Sequence, residues 1–456
     1  MTETVLWRAA EINKVYNSTL PENWVATGLS IDTRTLQTGD LFFALEGEAS
    51  DGHDYAVQAI EKGAAAIVIS KTIEGVPAEK TIKVENVLKA MEHLGAQRRH
   101  DVSIKAFGVT GSVGKTGTKE MLAHALNCFG KTHATIKSYN NHIGVPFMLS
   151  TMPRETQFGV FEMGMNHAGE ITPLTKMVKP DIAIITTVGA VHMEFFDSVQ
   201  KIADAKAEIF AGLGKGGIAV LNADNDYFDY LKGRAEHYNV AEVYSFGEDK
   251  NADACLENHT VKDGVAHVSA DIMGKTITFT LNSIGKHIAL NAMAVLLSVE
   301  LAGLDVRKAA RSLEGIAPLE GRGAKTKLDN GVTLIDESYN ASPIAVKATI
   351  EAFSKVKADR HILCLGDMLE LGGQSDALHQ SLANPIVEQN MSLLYCCGPH
   401  MKALYDVLPA DRRGAHYENS AEMAKEIKKM LKSGDAVLVK GSLGSKMKMV
   451  VEAIKA

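Results

Sequence analysis

Residues 104–122, IKAFGVTGSVGKTGTKEML, constrain this chain more than any other segment. An apolar stretch with strand character, residues 105–109, runs into a glycine-containing loop, residues 110–116, and a helix-like segment follows. The loop glycines let backbone N–H groups curl around phosphate oxygens, and the N-terminus of the next helix favours an anion. Lys115 offers a positive charge to the outer phosphates, and the Thr116 hydroxyl can ligate Mg²⁺. This order of strand, loop and helix predicts a site for a nucleoside triphosphate.

One position departs from the common phosphate-loop pattern. That pattern has a glycine five residues before the second loop glycine, where this chain has Val109. The loop is the shorter TGSxGKT form, which argues against motor ATPases and GTPases. The alternative is a Gly/Ser turn that happens to precede Lys and Thr, and the order of the elements counts against it.

Length and composition indicate a globular protein of several domains. The 456 residues correspond to about three domains. Hydrophobic residues make up 46% and charged residues 23%, as is usual for proteins with apolar cores. A net charge of −7 argues against a broad nucleic-acid-binding face, which would have to be basic.

The cysteines and the absence of long apolar segments favour a cytoplasmic protein. The cysteine count is odd and no CxxC occurs, so we expect free thiols in a reducing compartment. These residues are Cys128, Cys255, Cys364, Cys396 and Cys397. Residues 1–14 are polar and lack a signal-peptide core. Since no apolar run approaches about 20 residues, we expect no membrane insertion.

Strand-like and helix-like segments divide the chain into three predicted domains, residues 1–103, 104–317 and 318–456. In the first, strand-like residues 41–45 and 65–70 flank a helix-like segment at 54–64, which indicates a small α/β unit.

The central region alternates nearly continuous apolar strands with helices, which is typical of a doubly wound parallel sheet buried on both faces. The strand-like segments are residues 105–109, 157–164, 181–188 and 216–222, and the helix-like ones are 118–130 and 200–213. Short β segments within 242–281 precede a helix at 289–303.

The last region is also Rossmann-like, because strand-like segments again alternate with helical ones. The strand-like segments are residues 333–338, 361–366, 392–398 and 435–441. No GxGxxG motif occurs there, so a dinucleotide is not indicated.

Polar residues that end apolar runs are candidates for a site, because open α/β sheets bind ligands beyond the carboxyl ends of their strands. Glu162, His192, Asp336 and Asp367 follow this rule. Glu162 and Thr116 would form a suitable Mg²⁺ pair, although a capping or ion-paired carboxylate is the alternative for Glu162. For His192 the residues alone favour a packed histidine, since imidazole suits softer metals.

Two further segments are ambiguous when read from the residues alone. Lys206 lies on a helix-like segment, and a solvated lysine paired with Glu208 or Asp204 is the simplest interpretation. The polar turn at residues 140–146, NNHIGVP, could be only a helix N-terminus.

Ten segments, taken together and in order, resemble the Mur ligases, the ATP-dependent amide ligases of peptidoglycan precursor synthesis. They are TGSVGKTGTKEML, NNHIGVP, FEMGMNHAGEI, TTVGAVHMEFF, DAKAEIF, GKHIALNAM, LEGRG, IDESYNASP, GDMLELG and VKGS. The resemblance covers nearly the whole chain and implies a small uridine-diphosphate-binding domain, a central phosphate-loop ATPase domain and a Rossmann-like C-terminal domain.

The resemblance implies an ATP site and a site for two Mg²⁺ ions. It implies four catalytic residues, Lys115, Glu162, His192 and Lys206, of which the last three join Thr116 as metal ligands. It also implies that Lys206 is carbamylated by CO₂, which gives two hard oxygens in place of an ammonium that cannot ligate Mg²⁺. The implied ATP-binding residues are Thr110, Gly111, Ser112, Val113, Gly114, Lys115, Thr116, Gly117, Asn291, Arg322, Asp336, Tyr339 and Asn340.

Residues 31–56 resemble the uridine-diphosphate-binding domain of the family. The resemblance implies that Thr33 and Arg34 lie near the nucleotide-sugar, and Asn140 and Asn141 are further candidates for substrate binding. An arginine suits a diphosphate because its fork donates two parallel hydrogen bonds. Taken alone, Arg34 would be interpreted as part of a surface ion pair.

Finer features indicate the branch of the family that adds D-alanyl-D-alanine. GDMLELG (366–372) and SYNASP (338–343) resemble that branch, and the DNPR motif of diaminopimelate-adding enzymes is absent. Two departures are Gly117, where Thr or Ser is more common, and Leu443 with the following SKMK, where the family usually has VKGSRG. The departure at Leu443 puts any role for an arginine there in doubt.

The resemblance implies a monomeric enzyme that joins D-alanyl-D-alanine to UDP-MurNAc-tripeptide through an acyl phosphate. Alternatives within the ligases are the diaminopimelate- or lysine-adding enzymes and folate- or cyanophycin-type relatives. Outside them, the alternatives are a P-loop ATPase coupled to a partner and a non-catalytic UDP-sugar-binding regulator.

Overall fold

The computed structural model of the protein describes residues 5–47, 50–262, 264–317 and 319–456. The N-terminal domain has a parallel four-stranded sheet, in the order β3-β4-β5-β6, and a separate antiparallel pair, β1-β2. Its elements are β1 (Trp7–Arg8), α1 (Ala9–Tyr16), β2 (Val25–Ala26), β3 (Gly28–Ser30), β4 (Asp40–Phe43), α2 (Ala56–Glu61), β5 (Ala66–Ile69), β6 (Thr81–Lys83) and α3 (Val87–Asp101). The two predicted strands are β4 and β5, whose residues are all buried.

The central domain is built on a nine-stranded sheet in the order β15-β14-β13-β12-β11-β10-β7-β9-β8. Its strands are β7 (Lys105–Thr110), β8 (Thr132–Ala134), β9 (Phe158–Glu162), β10 (Ile182–Ile185), β11 (Ile218–Asn222), β12 (Glu242–Gly247), β13 (Ala254–Lys262), β14 (Val265–Ile272) and β15 (Lys275–Leu281). Its helices are α4 (Lys115–Asn127), α5 (Gly144–Ser150), α6 (Ile171–Val178), α7 (Val199–Ala207), α8 (Phe228–His237), α9 (Lys286–Leu301) and α10 (Val306–Leu313). The pairings from β8 to β13 are parallel and the last two are antiparallel, which confirms the predicted parallel sheet and its short β extension.

The order of strands positions the phosphate loop. The chain leaves β7 for β8 and β9 on one side, and then returns to β10 on the other side. The loop that follows β7 therefore lies at the point where the strand order reverses, which is where open α/β sheets bind ligands.

The C-terminal domain has a six-stranded sheet in the order β16-β17-β21-β18-β19-β20, parallel except for β16. Its strands are β16 (Ala324–Lys327), β17 (Thr333–Glu337), β18 (Arg360–Gly366), β19 (Leu393–Cys397), β20 (Arg413–Tyr417) and β21 (Asp435–Lys440). Its helices are α11 (Pro343–Ser354), α12 (Ser375–Gln380), α13 (Ala383–Glu388), α14 (Pro399–Val407), α15 (Ser420–Met430) and α16 (Lys448–Lys455). This is the predicted Rossmann-like arrangement.

Several predicted bounds need correction. The helix predicted at 118–130 begins at Lys115, because Gly114 takes a left-handed conformation (φ 91°) that starts the helix at once. The helix predicted at 200–213 ends at Ala207 and continues as a 3₁₀ turn. Strands β8 and β20 were not predicted, since they are short and their residues are only half-buried.

The cysteines are free, as predicted. Cys364, Cys396 and Cys397 are buried, Cys255 is half-buried and Cys128 is exposed. Within the described ranges, no helix has the length and apolar character needed to cross a membrane.

Candidate active site

The phosphate loop is held against the strand beside it. The Thr186 hydroxyl donates to the Val113 carbonyl at 2.6 Å, and the Ser112 amide donates to the Thr187 carbonyl at 2.8 Å. Gly111 has φ +150°, and a Cβ there would collide with the Thr186 side chain. The loop therefore requires glycine at this position, and these hydrogen bonds hold its backbone in place.

Lys115 is the first residue of α4 and folds back over the loop. Its Nζ donates to the Gly111 carbonyl at 2.7 Å. The residue as a whole is half-buried, whereas its ammonium is surrounded by protein, and this burial lowers the pKa of Lys115. The nearby charge of Glu162 opposes that change, and the charge of Arg322 adds to it.

The positions around Lys115 complete the loop. Thr110 ends β7 and is buried, and Thr116 is the second residue of α4 and half-buried. Gly117 departs from the family pattern, and apart from its chain neighbours and the backbone of its own helix, no heavy atom of the described residues lies within 4 Å of where its Cβ would be. A hydroxyl-bearing residue would fit there, so the backbone does not demand this glycine.

Glu162 ends β9 opposite Val109 of β7 and is 1% exposed. The side-chain amide of Asn140 donates to its Oε1 at 2.7 Å. Its Oε2 is buried and has no hydrogen-bond partner among the described residues. A buried carboxylate oxygen without a donor, next to a phosphate loop, suits a hard cation such as Mg²⁺.

Lys206 lies near the end of α7 and is 2% exposed, so it is not the solvated lysine that the residues alone suggest. Glu208 instead accepts from the Thr172 amide at 3.0 Å, and Asp204 accepts from the Tyr230 hydroxyl at 2.6 Å. Burial holds the pKa of Lys206 well below its usual range, and the nearby Lys115 charge lowers it further. The two lysines therefore lie close enough to affect each other.

His192 follows β10 and meets the C-terminal domain. Its Nδ1 lies 2.6 Å from Oε2 of Glu370, in the loop after β18. This contact holds the pKa of Glu370 below its usual range. The side chain of His192 is 21% exposed, so it is not the packed histidine that the residues alone favour.

The residues expected around the nucleoside come from two domains. Asn291 of α9 lies beside the loop, since a Cβ on Gly114 would be 2.7 Å from its Nδ2. In the C-terminal domain the Arg322 guanidinium stacks 4.0 Å above the Tyr339 ring. The charge of Arg322 contributes to the lowered pKa of Lys115, so its guanidinium lies near that lysine.

Asp336 is the fourth residue of β17, and Asn340 lies in the segment that follows this strand. Asp336 is 3% exposed, and its Oδ1 accepts from the Ser338 hydroxyl at 2.6 Å. The Asn340 carbonyl accepts from Nζ of Lys440, which also binds Oε2 of Glu337, each at 3.1 Å. The sequence prediction missed Lys440 and Glu337, and a lysine that ends the buried strand β21 was the available signal.

The other candidates have structural partners. Thr33 is buried and donates to Gln58 at 2.8 Å. The Arg34 side chain is 86% exposed and pairs with Asp32, as the residue alone indicates. Asn141 accepts from the Gly144 amide at 2.9 Å, which confirms the helix N-terminus there.

Asp367, the last strand-end candidate, also has a structural role. It accepts from the Met401 amide at 2.8 Å, at the start of α14.

Three family models match this chain, and together they cover most of its length. The Mur ligase middle domain matches residues 109–299. The Mur ligase glutamate ligase domain matches residues 321–443, and the catalytic domain of the Mur ligase family matches residues 25–99.

Relatives that align over nearly the whole chain indicate the same family as these models. The UDP-N-acetylmuramoyl-tripeptide–D-alanyl-D-alanine ligase of Rickettsia prowazekii is 34% identical over 98% of this chain and 99% of its own. The ligase of the same name from Escherichia coli is 32% identical over 94% and 93%.

Solved structures with a similar fold also align over nearly the whole chain. MurF from Acinetobacter baumannii has a TM-score of 0.88 at 26% identity and covers 98% of both chains. The MurF ligase from Thermotoga maritima in complex with ADP has a TM-score of 0.82 at 26% identity and covers 94% of this chain and 97% of its own. On its sequence, its fold and the geometry of its phosphate loop, this chain belongs to the Mur ligase family.

Proposed function

We propose that this chain is an ATP-dependent amide ligase that joins D-alanyl-D-alanine to UDP-N-acetylmuramoyl-tripeptide. The product is the UDP-MurNAc-pentapeptide precursor of peptidoglycan. The observation that carries the proposal is a phosphate loop with the unpartnered carboxylate oxygen of Glu162 beside it, in a chain 34% identical over 98% of its length to a ligase named for this reaction. The similar Thermotoga ligase in complex with ADP supports a nucleotide at the loop.

We assign a part of the reaction to each domain. Residues 1–103 bind the uridine diphosphate end of the substrate, residues 104–317 bind ATP, and residues 318–456 close over ATP. Arg34 exchanges Asp32 for the diphosphate, to which a guanidinium donates two parallel hydrogen bonds. The neighbouring Thr33 anchors that segment through Gln58.

ATP binds at the loop and beneath the C-terminal domain. Lys115 turns from the Gly111 carbonyl to the outer phosphates, where its charge offsets theirs. Asn291 contacts the adenine from α9. The stacked Arg322 and Tyr339 cover ATP and its ribose from the other side, together with Asp336 of β17 and Asn340 in the segment after that strand.

The residues of the site fit two Mg²⁺ ions. Glu162 and Thr116 would hold one, and His192 and a carbamylated Lys206 would hold the other. Burial and the charge of Lys115 lower the pKa of Lys206, which favours the neutral amine that reacts with CO₂. The neutral Nζ forms a bond to the carbon of CO₂ and loses a proton, and the resulting carbamate offers two hard oxygens. Bound Mg²⁺ supplies positive charge that offsets the repulsion between phosphates and an incoming carboxylate.

The reaction then proceeds in two transfers. The terminal carboxylate of the tripeptide attacks the γ-phosphorus of ATP, so an O–P bond forms while the bond to ADP breaks. The amine of D-alanyl-D-alanine attacks the carbonyl carbon of this acyl phosphate, inorganic phosphate leaves, and the nitrogen loses a proton. Closure of the domains keeps out water, which would hydrolyse the acyl phosphate.

Product masses test the proposal. The enzyme is incubated with Mg²⁺-ATP, UDP-MurNAc-tripeptide and D-alanyl-D-alanine, and in parallel with UDP-MurNAc-dipeptide and diaminopimelate or lysine. We expect a UDP-MurNAc-pentapeptide in the first reaction. A tripeptide product in a parallel reaction, without pentapeptide in the first, would instead assign the preceding step of the pathway.

Variants test the loop. Lys115→Ala should lower turnover by about two orders of magnitude or more, because the phosphates lose their fixed positive charge. Lys131→Ala removes an exposed lysine of the same domain and is the matched control. Near-wild-type turnover in Lys115→Ala would contradict the assignment of the loop.

We further propose that the enzyme acts as a cytoplasmic monomer, without a nucleic-acid partner and without membrane insertion. One chain carries all three domains, and ATP is a cytoplasmic substrate. Light scattering should give a mass near the 49.1 kDa of one chain, and a mass of twice that value would contradict it.

A further inference from the structure

Two residues with left-handed backbone meet at the interface between the central and C-terminal domains. His192, after β10, has φ 54°, and Glu370, after β18, has φ 63°. A non-glycine residue in this conformation costs free energy and persists only where its surroundings hold it. Both residues of one contact adopt this conformation, which indicates that the surrounding structure holds the contact in place.

Several interactions join the same two loops. Nδ1 of His192 lies 2.6 Å from Oε2 of Glu370, and the Glu194 amide donates to the Glu370 carbonyl at 3.1 Å. A Cβ on Gly372 would lie 3.1 Å from Cα of Glu194, so the backbones also approach closely. The contact therefore consists of a side-chain pair supported by main-chain bonding.

The loop that carries Glu370 is held to its own domain. The Met368 amide donates to Nε2 of His379 at 3.0 Å, and the Leu369 amide donates to the Ser442 hydroxyl at 2.9 Å. Glu370 therefore moves with the C-terminal domain, and it meets His192 only when the two domains are together.

A carboxylate on Nδ1 decides which nitrogen of the ring is free. As an acceptor, Glu370 keeps the proton on Nδ1 and leaves the lone pair on Nε2. Nε2 of His192 has no hydrogen-bond partner in the described part of the chain. Carboxylates that bind the second nitrogen of a ligating histidine fix its tautomer and orientation in the same way.

We propose that Glu370 is a positioning residue that orients His192. Closure of the domains and completion of the site that activates the tripeptide carboxylate are then one event. This inference rests on the proposed function. Before closure Glu370 lies away from His192, so the imidazole ring is not held in one orientation. ATP bound to the open enzyme is therefore protected from unproductive transfer.

Variants at Glu370 test this role, and a second carboxylate–histidine contact in the same domain provides the control. In Glu370→Ala the ring loses its acceptor, and in Glu370→Gln the amide oxygen can still accept from Nδ1. The control is Asp376→Ala, because Asp376 makes a similar 2.8 Å contact with His400 but within one domain. We expect kcat to fall about tenfold or more in Glu370→Ala, with KM for ATP within about twofold of wild type. Glu370→Gln should recover most of kcat, and Asp376→Ala should keep it.

A second readout needs no turnover. With Mg²⁺ and a non-hydrolysable ATP analogue, over which the domains close, hydrogen exchange of residues 190–196 should be faster in Glu370→Ala than in wild type or Asp376→Ala. Wild-type kcat in Glu370→Ala, or the same loss in Glu370→Ala and Glu370→Gln with unchanged exchange, would overturn the proposal. Absence of ligase activity in the wild type would instead overturn the proposed function, and the exchange experiment would still test the contact.

Discussion

Asn140 donates a 2.7 Å hydrogen bond to Oε1 of Glu162, whose Oε2 is buried without a partner in the described part of the chain. The amide thus fixes the carboxylate and leaves one oxygen for a cation. Asn140→Ala should raise the Mg²⁺ concentration needed for half-maximal activity by about 10- to 100-fold, the usual effect of losing such an orienting partner. Mg²⁺ titrations of ADP formation measure it.

The adjacent residue provides the control. The Asn141 side chain accepts from the Gly144 amide at the start of α5, so Asn141→Ala should lower the free energy of unfolding by about 1 kcal/mol. The Mg²⁺ requirement should stay that of wild type. Equal Mg²⁺ requirements in Asn140→Ala and wild type would show that Asn140 does not orient Glu162.

The buried pair of Lys440 and Glu337 should stabilise the C-terminal domain. The side chain of Lys440 is 4% exposed and that of Glu337 is 19% exposed, so Lys440→Met leaves a carboxylate largely buried and uncompensated. Breaking such a pair costs about 3–5 kcal/mol. Denaturant unfolding measures the loss, and Glu337→Gln added to Lys440→Met should recover part of it.

An exposed ion pair provides the comparison. Lys448 lies 2.8 Å from Glu320, and both side chains are more than 60% exposed, at 61% and 76%. Lys448→Met should leave the free energy of unfolding close to that of wild type, since solvent screens such pairs. Similar losses in Lys440→Met and Lys448→Met would argue against a special role for the buried pair.

Buried histidines should make the fold less stable in acid. Burial lowers the pKa of His133 to about 4 and also lowers the pKa of His379. Below the ordinary histidine pKa of about 6.5, these imidazoles bind protons in the unfolded chain but stay neutral in the folded chain. The free energy of unfolding therefore falls as pH falls from about 6.5 toward 4. His133→Gln removes one of these protons and should flatten the dependence of unfolding free energy on pH in that window. An unchanged slope would contradict this.

Lys206 should carry a carbamate in the active enzyme. With ¹³C-labelled bicarbonate the wild type should give a carbamate carbon signal, and depletion of CO₂ should lower turnover reversibly. Lys206→Met should lack the signal and lose about two orders of magnitude in rate. Lys201→Met, on the exposed face of the same helix, should match wild type. Full activity of the wild type without CO₂ and without the signal would contradict the assignment.

The phosphate loop and the strands around it could be predicted from sequence because their signals are local. Glycines, Lys115 and a buried strand lie within a few residues of one another, and β7, β9 and β10 are continuous apolar runs. The start of α4 was misplaced by three residues, since one left-handed glycine decides it.

Contacts across long stretches of chain could not be predicted in this way. Asn140 and Glu162 are 22 residues apart, and His192 and Glu370 are 178 apart in different domains. No local pattern brings these side chains together. The burial of Lys206 was also hidden, because its helix carries both polar and apolar residues and only packing shows which face is inside.

The path of one oxygen atom tests the central claim most directly. UDP-MurNAc-tripeptide labelled with ¹⁸O in its terminal carboxylate is incubated with the enzyme, Mg²⁺-ATP and D-alanyl-D-alanine in ordinary water, and the released phosphate is analysed by mass spectrometry. Activation through an acyl phosphate predicts one ¹⁸O atom in each phosphate, because the carboxylate oxygen leaves with the phosphoryl group. Unlabelled phosphate would mean that water attacked ATP, as in an ATPase coupled to a partner, and would contradict the ligase mechanism.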